Sequence, residues 1–520
     1  MKHICKYYYI DTNGIPLFTM VALPEENGRF PAVIYRSPYV DEYEEASEDD
    51  ICTRLLEARK AWLDAGYAVV YQHCRGRGKS GGDCIPYINE REDGLFLQEW
   101  VRNAPFYNGE IYLAGRSYTS SVHFVTAPFA PDIKGAVLEV QDSERYNCNY
   151  RNGFYKIGLH GDWYRKMYKH KSLKNINYTL DSFKILPLSE FSLKVFGERA
   201  EDFDEILRHP KKEDPFWITT RVGGSEAHDA TKNAGIPILF VTGFYDIYTG
   251  GVFDMWNALD DSTKARSALI VHAYGHSGTD TSFAIKFKDG SANEKFPYYA
   301  IRWCDYIRGK GESPVSLGKV TYYKMFGDEW CTDDFDTPQN RESFVLGDGE
   351  RTYRYDPQDP AIFKGGLSAN FGSTAYQDAP NSREDIISVY TPVFTSDRYI
   401  KGKMKATLKV SSSAEDTCFY VRVSIAKKEG DYGLRDDINQ ISNFAPDYAP
   451  GDAVEMEFNF DEHAFVVHAG ERLRVDISSS AFPLYVPHTN NKGLFSIQTE
   501  AKIAENTVLL SESFLTVYFE

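Results

Sequence analysis

A serine hydroxyl becomes a useful nucleophile only when a base takes its proton. A second group must hold that base in the right tautomer, and donors must receive the oxyanion that forms. Gly115-Arg116-Ser117-Tyr118-Thr119 is placed to supply such a serine. It follows the apolar run EIYLA and precedes a helical pattern, the strand–turn–helix setting of a G-x-S-x-G nucleophile turn. Gly115 allows the sharp reversal, but Thr119 stands where the second glycine belongs, so the bare motif is imperfect. Two more residues strengthen it. Asp246 ends the apolar strand IPILFVTGFY, and His276 follows SALIVHAY in the turn Tyr274-Gly275-His276-Ser277-Gly278. Taken singly, an Asp or a His is more often a surface residue or a helix cap. Serine, acid and histidine in that order, each at the carboxyl end of a strand, point to Ser117 as nucleophile, Asp246 as orienter and His276 as base. His272 is a competing base, but it lies inside the strand and is expected to be packed.

The elements that must position these residues alternate. PAVIYRS (31–37), YAVVYQHC (67–74), EIYLAGRS (110–117) and GAVLEV (135–140) read as buried strands. Residues 51–66 and 90–102 read as helices, the first stopped by Gly66, the second carrying Phe96 and Trp100 at i, i+4 spacing. The rhythm breaks between 142 and 229, where apolar strands vanish and Tyr, Lys, Asn and charged residues dominate. It resumes with 236–246, a helix near 250–259, 267–274 and a helix near 296–309. Alternating strands and helices imply a parallel sheet covered on both faces, and an insertion between its strands forms a mostly helical cap over its carboxyl edge. Beyond 341 the pattern becomes period two, as in KGKMKATLKVSSS and CFYVRVSIAKK, which predicts a β-sandwich. The expected domains are 1–141 and 230–340 for the α/β core, 142–229 for the cap, and 341–520 for an all-β jelly roll.

Composition removes other classes. The net charge is −17 with scattered basic residues, which argues against a nucleic-acid partner. No apolar run is long enough for a signal-peptide core or a membrane helix. The eight cysteines are dispersed without a CxxC pair, as expected of reduced thiols in a cytoplasmic protein, and zinc binding has no support. Nothing in the sequence speaks to oligomeric state. RGRGKSGG (75–82) contains the GKS of a phosphate loop, but the glycine needed five residues before Gly78 is His73, and Gly81, Gly82 and Pro86 follow where a helix should start. It reads instead as a glycine-rich loop bordering the site.

VVYQHCRGRGKSGG, EREDGLFLQEWV, GEIYLAGRSY, GFYD, YGHSG, YKMFGDEW and VHAGERLRVDISSSAFPLY together resemble the CocE/NonD hydrolases, the family of cocaine esterase, X-Pro dipeptidyl-peptidases and α-amino-acid ester hydrolases. The resemblance covers nearly the whole chain and leaves only the insertion generic. It implies an α/β-hydrolase core, a helical cap and a C-terminal jelly roll. It also implies an oxyanion hole made of one backbone N–H, here Tyr118, and one tyrosine hydroxyl, here Tyr39 of Arg36-Ser37-Pro38-Tyr39. The sequence departs from the family pattern at Ser120, where a glycine is usual, at His73, where an aspartate is usual, and after Asp246. There Ile247-Tyr248-Thr249 replace the acidic residues of α-amino-acid ester hydrolases. Phe244, Tyr245 and Tyr248 suggest an aromatic acyl pocket, and Trp163 of the cap is a further candidate for substrate contact. The expected reaction is hydrolysis of an ester or amide through an acyl-enzyme, foremost by an acyl esterase, without metal or organic cofactor. The alternatives are an X-Pro dipeptidyl-peptidase, whose larger bacterial members carry an added N-terminal domain, and a non-catalytic protein binding ligand through its jelly roll. Small esters, amides or short peptides are the expected partners.

Overall fold

The computed structural model describes residues 3–520 except 131, 170–171, 175, 220–234, 282 and 366–373. The last ten positions expected in the cap, 220–229, therefore lie outside the described residues.

Strands β1 (Ile4–Thr12), β2 (Ile15–Leu23), β3 (Phe30–Ser37), β4 (Ala68–His73), β5 (Tyr107–Arg116) and β6 (Gly135–Glu139) form the first part of the core. After the cap, which contains the short hairpin β7 (Tyr150–Arg151) and β8 (Phe154–Tyr155), come β9 (Ile238–Tyr245), β10 (Ala268–Gly275), β11 (Val320–Lys324) and β12 (Glu329–Asp333). They make one ten-stranded sheet in the order β1-β2-β4-β3-β5-β6-β9-β10-β11-β12. The strands from β4 to β11 are parallel, as the alternation implies. The two ends are antiparallel, which the expectation of a parallel sheet missed. The missed signal is Asn13-Gly14, both at positive φ, the preferred pair for a two-residue hairpin turn. Asn152-Gly153 does the same inside the cap.

One helix reading needs correction. Residues 51–66 form two helices, Glu48–Ala58 and Lys60–Asp64, separated at Arg59, whose guanidinium lies over the Tyr35 ring. In helix Glu90–Arg102 the buried stripe is Gly94, Leu97 and Val101, while Phe96 is 40% exposed. The Trp100 ring instead rests on Tyr8 and Phe106.

Beyond the core, the long strand Ala504–Phe519 pairs with Asn340–Val345, Glu350–Tyr355 and Lys405–Ser412 in one sheet. Arg472–Ser478 and Cys418–Lys427 pair at the centre of a second. Ladders in both are antiparallel, and their inner faces bury Leu408, Phe419, Val421, Val475 and Leu515. This β-sandwich is joined to the rest by buried and half-buried polar contacts. The Tyr245 hydroxyl donates to Gly433 O at 2.8 Å, and Arg151 of the cap pairs with Asp437 at 2.7 Å and Asp461 at 3.0 Å. Gly158, in cap helix Ile157–Met167, approaches the sandwich loop so closely that a Cβ there would lie 2.3 Å from Pro483 O. The architecture is an α/β-hydrolase core with a cap and a C-terminal all-β domain.

Candidate active site

Ser117 occupies the single residue between β5 and helix Tyr118–Phe124, at φ 57° and ψ −131°. That conformation is costly for a residue with a Cβ, and it lifts the side chain out of the turn. The neighbours enforce it. The Ser117 N–H donates to Glu139 O on β6 at 2.9 Å. The Thr119 hydroxyl lies 2.7 Å from Arg116 N and 2.6 Å from Arg116 O, so the residue that replaces the second motif glycine braces the turn itself. Gly115 is indispensable, since a Cβ there would sit 1.9 Å from Thr119 O. Gly115→Ala is expected to destabilise the fold by roughly 3 kcal/mol, the upper end for an overpacked site. A denaturant midpoint equal to that of the parent would contradict this reading of the turn.

Asp246 follows β9 and is 1% exposed. One carboxylate oxygen accepts the Tyr248 N–H at 2.7 Å, and the other lies 2.7 Å from His276 Nδ1. The hydroxyl of Thr249 ties the same loop to Gly243 O and Asp246 O. A carboxylate at Nδ1 keeps the proton there and makes Nε2 the basic nitrogen. His272 is buried, accepts the Tyr274 N–H at its Nδ1, and has its pKa pushed down to about 3 by burial and by nearby Arg116. It is a packed, neutral ring.

Arg116, the middle residue of G-x-S, links the candidate residues in a way that the motif left unassigned. Its guanidinium pairs with Glu139 at 3.2 Å and donates to the backbone carbonyl of His276, tying the serine turn to the histidine loop. Its position between Gly115 and Ser117 was the only sequence signal.

The Tyr118 side chain points away from the serine. Its hydroxyl donates to Glu90 at 2.8 Å and accepts the Tyr87 N–H at 2.7 Å. As the first helical residue, Tyr118 has an N–H with no intrahelical acceptor. Tyr39 follows β3 and is 42% exposed. Its hydroxyl accepts the Trp163 indole N–H at 3.2 Å. Desolvation raises the Tyr39 pKa, against the opposing pull of the Trp163 and Ser117 side chains. The glycine-rich loop holds this arrangement. Fully buried Arg77 donates to Pro38 O at 3.1 Å and to Lys166 O at 3.0 Å, joining the Tyr39 segment to the end of the cap helix. His73, at the family's aspartate position, is buried, and its Nδ1 accepts the Lys79 N–H at 3.3 Å within the same loop.

Trp163 packs against Tyr87 and Tyr118 with ring centroids 5.9 and 6.1 Å away, and Tyr248 meets the His276 ring edge-on at 5.7 Å. Phe244 does not join them. It is fully buried in the core against Phe335, because β9 is covered on both faces and Phe244 lies short of the strand's end. Burial pushes the Tyr248 phenol well up, with Cys148, Tyr87, Tyr39 and Asp142 around it. Tyr87 packs against Tyr118 and Trp163, and Cys148 shares a buried apolar cluster with Tyr248; the sequence pattern marked neither. Asp142 is buried with its pKa pushed up to about 7, chiefly by desolvation, while Lys156 opposes the shift. Glu144 and Asp162 of the cap are engaged elsewhere, with Lys212 at 2.7 Å and with Arg165 and Lys166 at 2.7 and 2.6 Å.

Residues 13–278 match the X-Pro dipeptidyl-peptidase (S15 family) profile, and residues 315–514 match the X-Pro dipeptidyl-peptidase C-terminal non-catalytic domain. Cocaine esterase from Rhodococcus sp. (strain MB1 Bresler) is 23% identical over 545 residues, covering 93% of this chain and 92% of that protein. Among solved structures, an α-amino acid ester hydrolase superimposes with a TM-score of 0.84 at 16% identity, covering 100% of this chain and 97% of its own. An aminopeptidase from a marine sediment archaeon, Thaumarchaeota archaeon, gives 0.83 at 17% identity, with 100% and 96% covered. At these identities the two structures establish a shared fold. Since the catalytic-domain profile spans more than half of the sequence, the chain belongs to the X-Pro dipeptidyl-peptidase S15 family.

Proposed function

We propose that this S15-family serine hydrolase cleaves small neutral acyl esters, with Ser117 as nucleophile, His276 as base and Asp246 as its orienter. The observation that carries the reading is the 2.7 Å contact between buried Asp246 and His276 Nδ1, on a loop whose His276 carbonyl is bonded by Arg116 of the strained strand-to-helix turn that holds Ser117. Ser117 Oγ attacks the ester carbonyl while His276 Nε2 takes its proton. The oxyanion is received by the Tyr118 N–H and the Tyr39 hydroxyl. The C–O bond to the alcohol breaks, and His276 returns the proton to the leaving alkoxide. Water, deprotonated by His276, then attacks the acyl-enzyme, releasing the acid and restoring Ser117.

The wall of Tyr87, Trp163 and Tyr248 favours an apolar or aromatic acyl group. Ile247 and Tyr248 follow Asp246, Glu144 and Asp162 are paired with lysines and arginine, and Asp142, near Tyr248, is pushed up to about 7 by burial with Lys156 as its opposing charge, so none of these carboxyls stands as a dedicated partner for an α-ammonium group. A neutral aryl or short acyl ester is therefore expected to show a higher kcat/KM than the matching α-amino ester at a pH where the amine is protonated. A preference for the charged ester would overturn this specificity.

The family match favours a second reading, release of X-Pro dipeptides from peptide N-termini. A panel of neutral esters, amino esters and X-Pro anilides, with Ser117→Ala as control, separates the two. Covalent labelling by a fluorophosphonate, lost in Ser117→Ala, separates both from a protein that only binds ligand. Among the described residues no helix is long and apolar enough to cross a membrane. The dispersed cysteines, all eight free, fit a reducing compartment, and we place the enzyme in the cytoplasm.

A further inference from the structure

We infer that Trp163 is a positioning residue of the oxyanion hole: its indole N–H orients the Tyr39 hydroxyl, so the cap completes the catalytic site rather than merely covering it. The inference rests on the proposed oxyanion role of Tyr39. It goes beyond the role of substrate contact first expected for Trp163.

An indole N–H can only donate. In the 3.2 Å contact from Trp163 Nε1 to the Tyr39 hydroxyl, the phenol oxygen must therefore accept. One lone pair of that oxygen is then occupied, and the single phenolic proton turns away from the indole. The Tyr39 ring packs edge-on against Tyr118, the residue after Ser117, with centroids 6.4 Å apart. With the indole side taken, the proton is left for the side of the serine turn, where negative charge develops on a carbonyl attacked by Ser117. A hydroxyl rotor without Trp163 would choose among several partners, and orienting it during reaction costs rate. Donation into the phenol oxygen also strengthens the bond that the phenol itself donates.

Trp163 is held from several sides. His160 meets it edge-on at 5.7 Å, with the rings at 89°, and Tyr87, Tyr118 and Tyr164 pack around it. Its helix is fixed at both ends. The Gly158 N–H donates to Leu484 O of the sandwich at 3.2 Å, where only glycine fits. At the other end Lys166 O accepts from Arg77, which also holds Pro38, the residue before Tyr39. The Arg77 guanidinium therefore sets the spacing between the two partners of the Trp163–Tyr39 bond. Core, cap and sandwich each contribute one fixed point to a single hydrogen bond.

The test is a double-mutant cycle. Trp163 is replaced by phenylalanine and, separately, by the isosteric β-(3-benzothienyl)alanine, which retains the bicyclic ring but lacks the N–H. Each is made in the parent and in Tyr39→Phe. In the parent, both replacements are expected to lower kcat about tenfold, the rate equivalent of one hydrogen bond, with KM within about twofold. Affinity for a trifluoromethyl ketone, which forms a hemiketal oxyanion on the serine, should fall in proportion to kcat/KM. In Tyr39→Phe neither replacement should lower kcat further. Equal losses in both backgrounds, or a rise in KM with kcat unchanged, would overturn the inference and leave Trp163 a pocket wall. A parental kcat in Tyr39→Phe alone would instead remove the oxyanion role of Tyr39 on which it rests.

Discussion

Replacing Ser117 with alanine is expected to lower kcat by about 10⁶-fold, and His276→Ala by a similar factor, because members of a triad act as a unit. Both variants should fold as the parent does. Ser117 sits in a surface turn whose bracing comes from Thr119 and the Glu139 carbonyl, neither of which involves the serine hydroxyl. The Asp246 carboxylate retains the Tyr248 N–H when the imidazole is removed. The informative contrast is between the two histidines near the sheet edge. His272→Ala deletes a buried ring beside Gly243 and should reduce stability, with activity retained in the folded fraction. Steady-state kinetics on the soluble fraction, normalised by circular dichroism, decides the matter. A fully active His276→Ala beside a dead His272→Ala would reverse the assignment of the base.

Tyr39→Phe carries the second largest expected effect, a loss of about 10²–10³ in kcat with little change in KM. The phenol hydroxyl would bond to charge that exists only in the transition state, so deleting it leaves ground-state binding intact. The substitution preserves the ring and its edge-on packing against Tyr118 at 6.4 Å, and 42% of the residue is exposed, so stability should barely change. A parental kcat would return Tyr39 to the role of a packed tyrosine at the rim. A rise in KM without loss of kcat would make it a substrate contact instead.

Much of the fold could be read because its signals are local. Strands such as IPILFVTGFY and SALIVHAY are apolar throughout, and only a sheet covered on both faces buries such segments. The switch to period two after 341 marks a sandwich for the same reason. The antiparallel hairpin of β1 and β2 is equally legible at Asn13-Gly14, a local turn signal between two strand-forming runs. The break at Arg59 was not legible, since nothing between Ala58 and Lys60 interrupts a helix until the guanidinium finds the Tyr35 ring.

The sequence by itself determined which residues could do chemistry: a serine in a strand–turn–helix setting, and an acid and a histidine after later strands. Their positions follow from periodicity, because strand ends are visible wherever an apolar run stops. Tertiary structure decided what surrounds them. Arg116 reaches the His276 carbonyl, Arg77 joins Pro38 to the cap, and Trp163 meets Tyr39 across 124 positions of chain. Phe244 and Tyr248, four residues apart, part company for the same reason. The strand buries Phe244 in the core, while the loop after Asp246 turns Tyr248 onto the imidazole. Such contacts depend on where separate segments converge, and convergence is set by packing of the whole chain rather than by any local pattern of residues.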